Sequence, residues 1–143
     1  MDAKQRMVGD LELFSGCSRD EVNWVLHNGD VIDVRAGSVV ARRGAYAKEF
    51  MVVIGGSALV TNEEGCHVTL LPGAFFGHDE IAADGPYAST IEAMDGLRVL
   101  VFEVRAFRGF AERVPTVARK LNGEIAAHVA APVRYGRRLA VAS

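Results

Sequence analysis

Between residues 31 and 102 the chain breaks into short apolar runs, each closed by residues that suit a turn. Val31, Ile32 and Val34 run to Ala36-Gly37, Val39 and Val40 run to the loop around Gly44, and Phe50-Met51-Val52-Val53-Ile54 runs to Gly55-Gly56. Leu59 and Val60 precede Asn62-Glu63-Glu64-Gly65, which has the composition of a hairpin turn. Val68, Leu70 and Leu71 lead to Pro72-Gly73, and Ser89-Thr90-Ile91 and Leu97 to Phe102 lie on either side of the turn Asp95-Gly96. Runs this short, with turns spaced about eight to twelve residues apart, are strands of a roll or barrel rather than helices. Fifteen glycines against four prolines supply those turns.

The flanks follow a different period. Leu11, Leu13 and Phe14 form an apolar cluster ending at Gly16 in a helical opening, and Ser18-Arg19-Asp20-Glu21 has the form of a capping box. Val22, Val25 and Leu26 give the helix that follows one apolar face, Trp24 beside it reads as a packing residue, and Asn28-Gly29 ends it. The stretch from His78 to Ala83 reads as a short helix or loop. Val104, Phe107 and Phe110 fit a short helix, and Pro115 suits the first turn of another. In that last helix Val117, Leu121, Ile125 and Val129 recur every four residues as one apolar stripe, which Pro132 ends. The expected architecture is mainly β with flanking helices. One domain spans 1–131, and 132–143 is a basic, solvated tail carrying Arg134, Arg137 and Arg138.

Composition excludes several classes. A chain of 143 residues, half of them apolar, is one domain's worth with a continuous core. A formal net charge of −2 provides no global basic field for nucleic acid, and no DNA-binding domain is expected. Cys17 and Cys66 show no paired spacing and read as two thiols of a reduced compartment. Met1-Asp2-Ala3-Lys4-Gln5-Arg6 is polar and lacks an apolar signal core, and no apolar run approaches the roughly 18 residues of a membrane span. The chain therefore reads as soluble and cytoplasmic. Ser15, Ser18 and Ser57 have no His–Asp partners at recognisable spacing, and no Walker-type phosphate loop is present, so no enzyme is expected.

From about Leu11 to Val129 the order of elements resembles the cyclic-nucleotide-binding domain family of bacterial regulators, kinase regulatory subunits and gated channels. Leu13-Phe14 followed by Ser18 resembles the family's opening. Gly37, Gly44, Gly55-Gly56 and Gly73 stand at its turns, Leu71-Pro72-Gly73-Ala74-Phe75-Phe76-Gly77 resembles its strand into the ligand cradle, and Phe107 and Pro115 fall in its pattern. The resemblance implies an eight-stranded antiparallel β-roll, jelly-roll-like, with N-terminal helices and two C-terminal helices. It also implies a candidate ligand-binding cradle of Phe76, Gly77, His78, Asp79, Glu80, Ile81, Ala82, Tyr87, Ala88, Ser89 and Thr90.

The family's cradle reads Phe-Gly-Glu-Leu-Ala, then Pro-Arg-Ala-Ala-Thr. Backbone N–H groups and an arginine hold the cyclic phosphate, and the glutamate accepts from the ribose hydroxyl. Aligned without a gap, this chain has His78 for the glutamate and Tyr87 for the arginine. Glu80 takes the glutamate's place only if the gap is moved, and Arg42, Arg43 and Lys48 are the nearest replacement cations. A hydrogen bond to a charged group contributes about 1.5–3 kcal/mol, and a buried charge without its partner costs about 2–5 kcal/mol. At about 1.4 kcal/mol per tenfold, a micromolar phosphate site falls far out of range.

The expected function is a stand-alone regulatory module with a degenerate cassette, not an ordinary cyclic AMP binder. It would act through a protein partner or self-association of the C-terminal helix. The alternative is a small-ligand sensor taking cyclic AMP, cyclic GMP or another anion between residues 76 and 90. A third reading, a metal-dependent roll of cupin type, would use His78 with Glu80, but His27, His67 and His128 lie on other elements without paired spacing.

Overall fold

A computed structural model describes residues 2–122 of the chain. Eight strands form two antiparallel sheets that close as a roll. One contains β1 (Asp30–Val34), β8 (Leu97–Glu103), β3 (Glu49–Gly55) and β6 (Phe75–Phe76) in the order β1-β8-β3-β6. The other contains β2 (Val39–Ala41), β7 (Thr90–Ala93), β4 (Ala58–Thr61) and β5 (His67–Leu70) in the order β2-β7-β4-β5. The glycine-bounded runs of the sequence are these strands.

Burial follows sheet position. β4 alternates, with Ala58 and Val60 inside and Leu59 and Thr61 only half-buried, because one of its faces meets solvent. β8 lies between β1 and β3 and is buried continuously from Val99 to Phe102, as expected for a strand covered on both faces. Its register sets Leu100 opposite Val52 and Phe102 opposite Phe50. Gly56 fixes how two turns meet: its φ is +76°, and a Cβ there would lie 2.0 Å from the Gly96 carbonyl oxygen.

The helices cover one end of the roll. Helix α1 (Ala3–Gly9) and a single 3-10 turn (Glu12–Phe14) precede α2 (Arg19–Asn28). The capping box of α2 forms as read: the Ser18 N–H donates to Glu21 Oε1 at 2.9 Å, and the Glu21 N–H donates to Ser18 Oγ at 3.1 Å. After β8 come α4 (Val104–Arg108), α5 (Phe110–Arg113) and α6, which opens at Pro115 and is described to Asn122; the short α3 lies at the cradle. The helix expected over Val104 to Phe110 is thus split at Gly109. Trp24 packs edge-on against Phe110 at 5.7 Å between ring centres. The Lys120 ammonium donates to the Glu12 and Ser15 carbonyls at 2.8 and 2.6 Å, tying the last described helix to the first ones. Ile125, Val129, Pro132, the expected domain end at 131 and the basic tail lie outside the described residues.

Phe50 on β3 sits at the centre of the core. Its ring is 4.8 Å from that of Phe107 and about 6 Å from those of Phe75, Phe102 and Phe110. Aromatic pairs at such separations add to the burial they provide.

Candidate functional site

The cradle begins where β6 runs out. Gly77 has φ +99°, and a Cβ there would stand 2.5 Å from the Glu49 carbonyl oxygen, so no other residue takes this turn unstrained. The chain then enters α3 (His78–Ala82). His78 is buried rather than at the surface, with its ring edge-on to Phe75 at 5.0 Å and to Phe50 at 6.2 Å. Its Nε2 lies 3.7 Å from Asp79 Oδ1, an ion pair when the imidazole is protonated.

Glu80 holds the segment together twice. Its carbonyl oxygen accepts from the Gly85 N–H at 3.0 Å, and its carboxylate Oε2 accepts from the Ala88 N–H at 3.1 Å. The returning chain is stitched to the loop after β2. Tyr87 N–H donates to Ala45 O at 2.8 Å, Gly44 N–H to Tyr87 O at 3.0 Å and Ala47 N–H to Gly85 O at 3.0 Å. The Tyr46 hydroxyl donates to Asp84, whose own φ is +54°.

Tyr87 is turned away from the cradle's interior. Its hydroxyl donates to the Glu49 carbonyl at 3.0 Å and accepts from the Glu49 N–H at 3.2 Å. Burial pushes that hydroxyl above the ordinary tyrosine pKa, against hydrogen bonds that pull it down. One residue earlier, the Lys48 carbonyl accepts from Val104 N–H at 3.1 Å, where α4 begins.

Between α3 and the returning chain lies a cavity of about 280 Å³. Of the candidate residues, Phe76, Gly77, His78, Asp79, Glu80, Ala88 and Ser89 line it. Ile81 is buried in the core, Ala82 is exposed away from the lining, and Tyr87 bonds to β3. The Thr90 hydroxyl accepts from the Arg43 N–H at 3.1 Å. Sequence reasoning did not select Phe75, Ala83, Gly85, Pro86 and Ile91, which complete the wall. Strand alternation would have found Ile91, two residues beyond Ser89; the others meet only through the fold.

The electrostatics of the wall are plain. Among the described residues, two carboxylates, Asp79 and Glu80, line it, and no lysine or arginine does. Of the three replacement cations considered, Arg43 lies 3.7 Å from the Glu63 carboxylate, Lys48 borders a separate depression with Glu103 and Arg105, and Arg42 is exposed outside the lining. Ser89 is only 5% exposed, and its hydroxyl makes no hydrogen bond to another described residue. Among the described residues no three or more His, Cys, Asp or Glu side chains converge as metal ligands, and no helix is long and apolar enough to cross a membrane.

Comparison with known proteins decides the family, because a family model described as "Cyclic nucleotide-binding domain" matches residues 31–114. The chain belongs to the cyclic nucleotide-binding domain family. The match takes in the strands of the roll, the cradle and α4 and α5. The chain is 27% identical over 119 residues to a protein named as a putative potassium channel protein of Rhodopseudomonas palustris. That alignment covers 81% of this chain and only 29% of the curated relative's length.

Solved structures agree on the fold. The regulatory domain of Toxoplasma gondii PKA with cAMP superposes with a TM-score of 0.73 at 19% identity, over 87% of this chain and 49% of that one. The catabolite activator protein of Thermus thermophilus gives 0.69 at 22% identity, over 87% and 59%. The cyclic nucleotide-binding β-roll expected from the sequence is therefore the fold of this chain.

Proposed function

We propose that this chain is a non-catalytic regulatory module of the cyclic nucleotide-binding family whose cassette is degenerate, so that cyclic AMP and cyclic GMP are not its ordinary ligands. It works by presenting its C-terminal helices to a protein partner or to a second copy. The observation that carries this reading is the cavity wall, where the described residues supply two carboxylates and no lysine or arginine. The residue aligned with the family's arginine is Tyr87, whose hydroxyl is taken up by both polar groups of the Glu49 backbone. A cyclic phosphate entering this cavity would exchange water for two like charges and gain no cation.

Two contacts support an output through the C-terminal helices. The Tyr87–Glu49 bonds lie one residue from the Lys48 carbonyl that holds the first N–H of α4. His78 packs on Phe50, and Phe50 packs on Phe107 and Phe110. The match to a small fraction of a longer protein fits a module that serves a larger one.

Isothermal titration calorimetry with cyclic AMP and cyclic GMP tests the reading. We expect no binding tighter than about 1 mM, a scale at which the whole interaction is worth about 4 kcal/mol. A micromolar dissociation constant for either nucleotide would overturn it.

A second reading, a small-ligand sensor, is favoured by the cavity itself and by the Ser89 hydroxyl on its wall. A ligand that orders residues 78–90 would raise the melting temperature by mass action. Thermal shift across a nucleotide panel distinguishes the two, since only the sensor reading expects a rise.

A further inference from the structure

We infer that the Glu80 carboxylate is the cavity's own anion: it occupies the backbone donor at Ala88 that an incoming anion would need, and so holds the cradle shut against phosphates. This deepens the reading of the cradle given above and rests on it. The carboxylate stands on the cavity wall and accepts from Ala88 N–H across eight residues of chain. The same residue's backbone carbonyl accepts from Gly85 N–H, which fixes the stretch of backbone from which the carboxylate reaches Ala88. A backbone N–H facing a cavity is a natural anion donor, and a bond from such a donor to a carboxylate is of the strong, charge-assisted kind. An entering phosphate must displace Glu80 or sit beside it. No lysine or arginine among the described residues of the wall screens the two charges from each other.

A purely structural staple predicts the opposite behaviour. Removing a staple loosens the cradle and lowers any affinity, whereas removing an internal anion raises affinity for another. Tyr87 is unsuitable for testing this by adding a cation, because its hydroxyl holds β3. Ala83 lines the cavity and is exposed, so Ala83→Arg places a guanidinium there without disturbing the core.

The full chain is titrated with cyclic AMP, and separately with inorganic phosphate, by amide NMR, which reads millimolar dissociation constants and reports on Ala88 directly. Four variants accompany the wild type: Glu80→Gln, Glu80→Ala, Ala83→Arg and the Glu80→Ala/Ala83→Arg double. We expect Glu80→Ala to tighten anion binding at least about tenfold over wild type, with the Ala88 amide shifting on titration and Glu80→Gln falling between. Ala83→Arg alone should change affinity less than about threefold, its guanidinium neutralised by Glu80, and the double should exceed it at least about tenfold. If removing the carboxylate leaves affinity unchanged or weaker in both backgrounds, including the case in which no folded variant binds, the inference falls. Should Glu80→Ala fail to fold, the near-isosteric Glu80→Gln carries the same test. Micromolar binding by the wild type would overturn the proposed function alone, because the inference is read as a ratio between variants.

Discussion

Tyr87 and Gly77 show how much of the cradle is held by single residues. Both meet the same partner, Glu49 at the start of β3: Gly77 by close approach, Tyr87 by two hydrogen bonds. Gly77→Ala puts a Cβ 2.5 Å from a carbonyl oxygen at φ +99°, and we expect it to cost at least about 2 kcal/mol. Tyr87→Phe keeps the ring and removes only the hydroxyl, leaving Glu49 without those two bonds, at a cost of about 1–3 kcal/mol. Urea denaturation of both variants measures these losses; a Tyr87→Phe protein as stable as wild type would mean that water replaces the hydroxyl. Cys17 belongs to this scale too. Burial, with the Glu21 carboxylate adding to it and Lys120 opposing, pushes its thiol from 9.0 up to about 11. Native Cys17 should therefore resist alkylation by iodoacetamide at pH 8 and react on unfolding, as peptide mass spectrometry would show.

At the scale of elements, the helical end of the roll depends on polar contacts made by a few side chains. Glu21 completes the capping box of α2 and also accepts from the Thr116 hydroxyl of α6 at 3.3 Å. Ser18→Ala removes one arm of the box, and about 1 kcal/mol of stability should go with it, read as a fall in the urea midpoint at unchanged m-value. A change in m-value instead would mean that the N-terminal helices detach separately. The strands were legible because glycine-bounded apolar runs admit little else, and the capping box was legible because both its bonds are local. The break between α4 and α5 was not legible. At Gly109 a Cβ would approach the Trp24 ring to 3.0 Å, so the close packing there depends on a residue far away in sequence.

For the molecule as a whole, the groups with raised pKa values predict an alkaline weakness. The folded chain keeps the Cys17 thiol protonated up to about 11, while the unfolded chain ionises from about 9, so the stabilisation is complete below about 9 and is lost as pH rises towards 11. Tyr87, also raised by burial, acts in the same direction above its ordinary range near 10. Chemical denaturation between pH 8 and pH 10.5 should show falling stability, and Cys17→Ser should flatten the first part of the fall. The same whole-molecule view links cradle and helices, since His78, Phe50, Phe107 and Phe110 form one aromatic path.

The roll, its strand boundaries, the capping box and the absence of an arginine from the expected cradle position were determined by the sequence alone. Each follows from local composition: glycine at turns, period-two burial, a hydroxyl three residues before a carboxylate, and Tyr87 standing at one position. Tertiary structure alone decided which cradle residues face the cavity. Side-chain direction at Tyr87 is set by Glu49 on β3 and that of Glu80 by Ala88 across the loop, while Arg43 pairs with Glu63 and Lys48 borders a separate depression beside the start of α4. Those partners are distant in sequence or lie across a loop. The charge a ligand would meet was therefore settled by the closing of the roll and not by the order of residues.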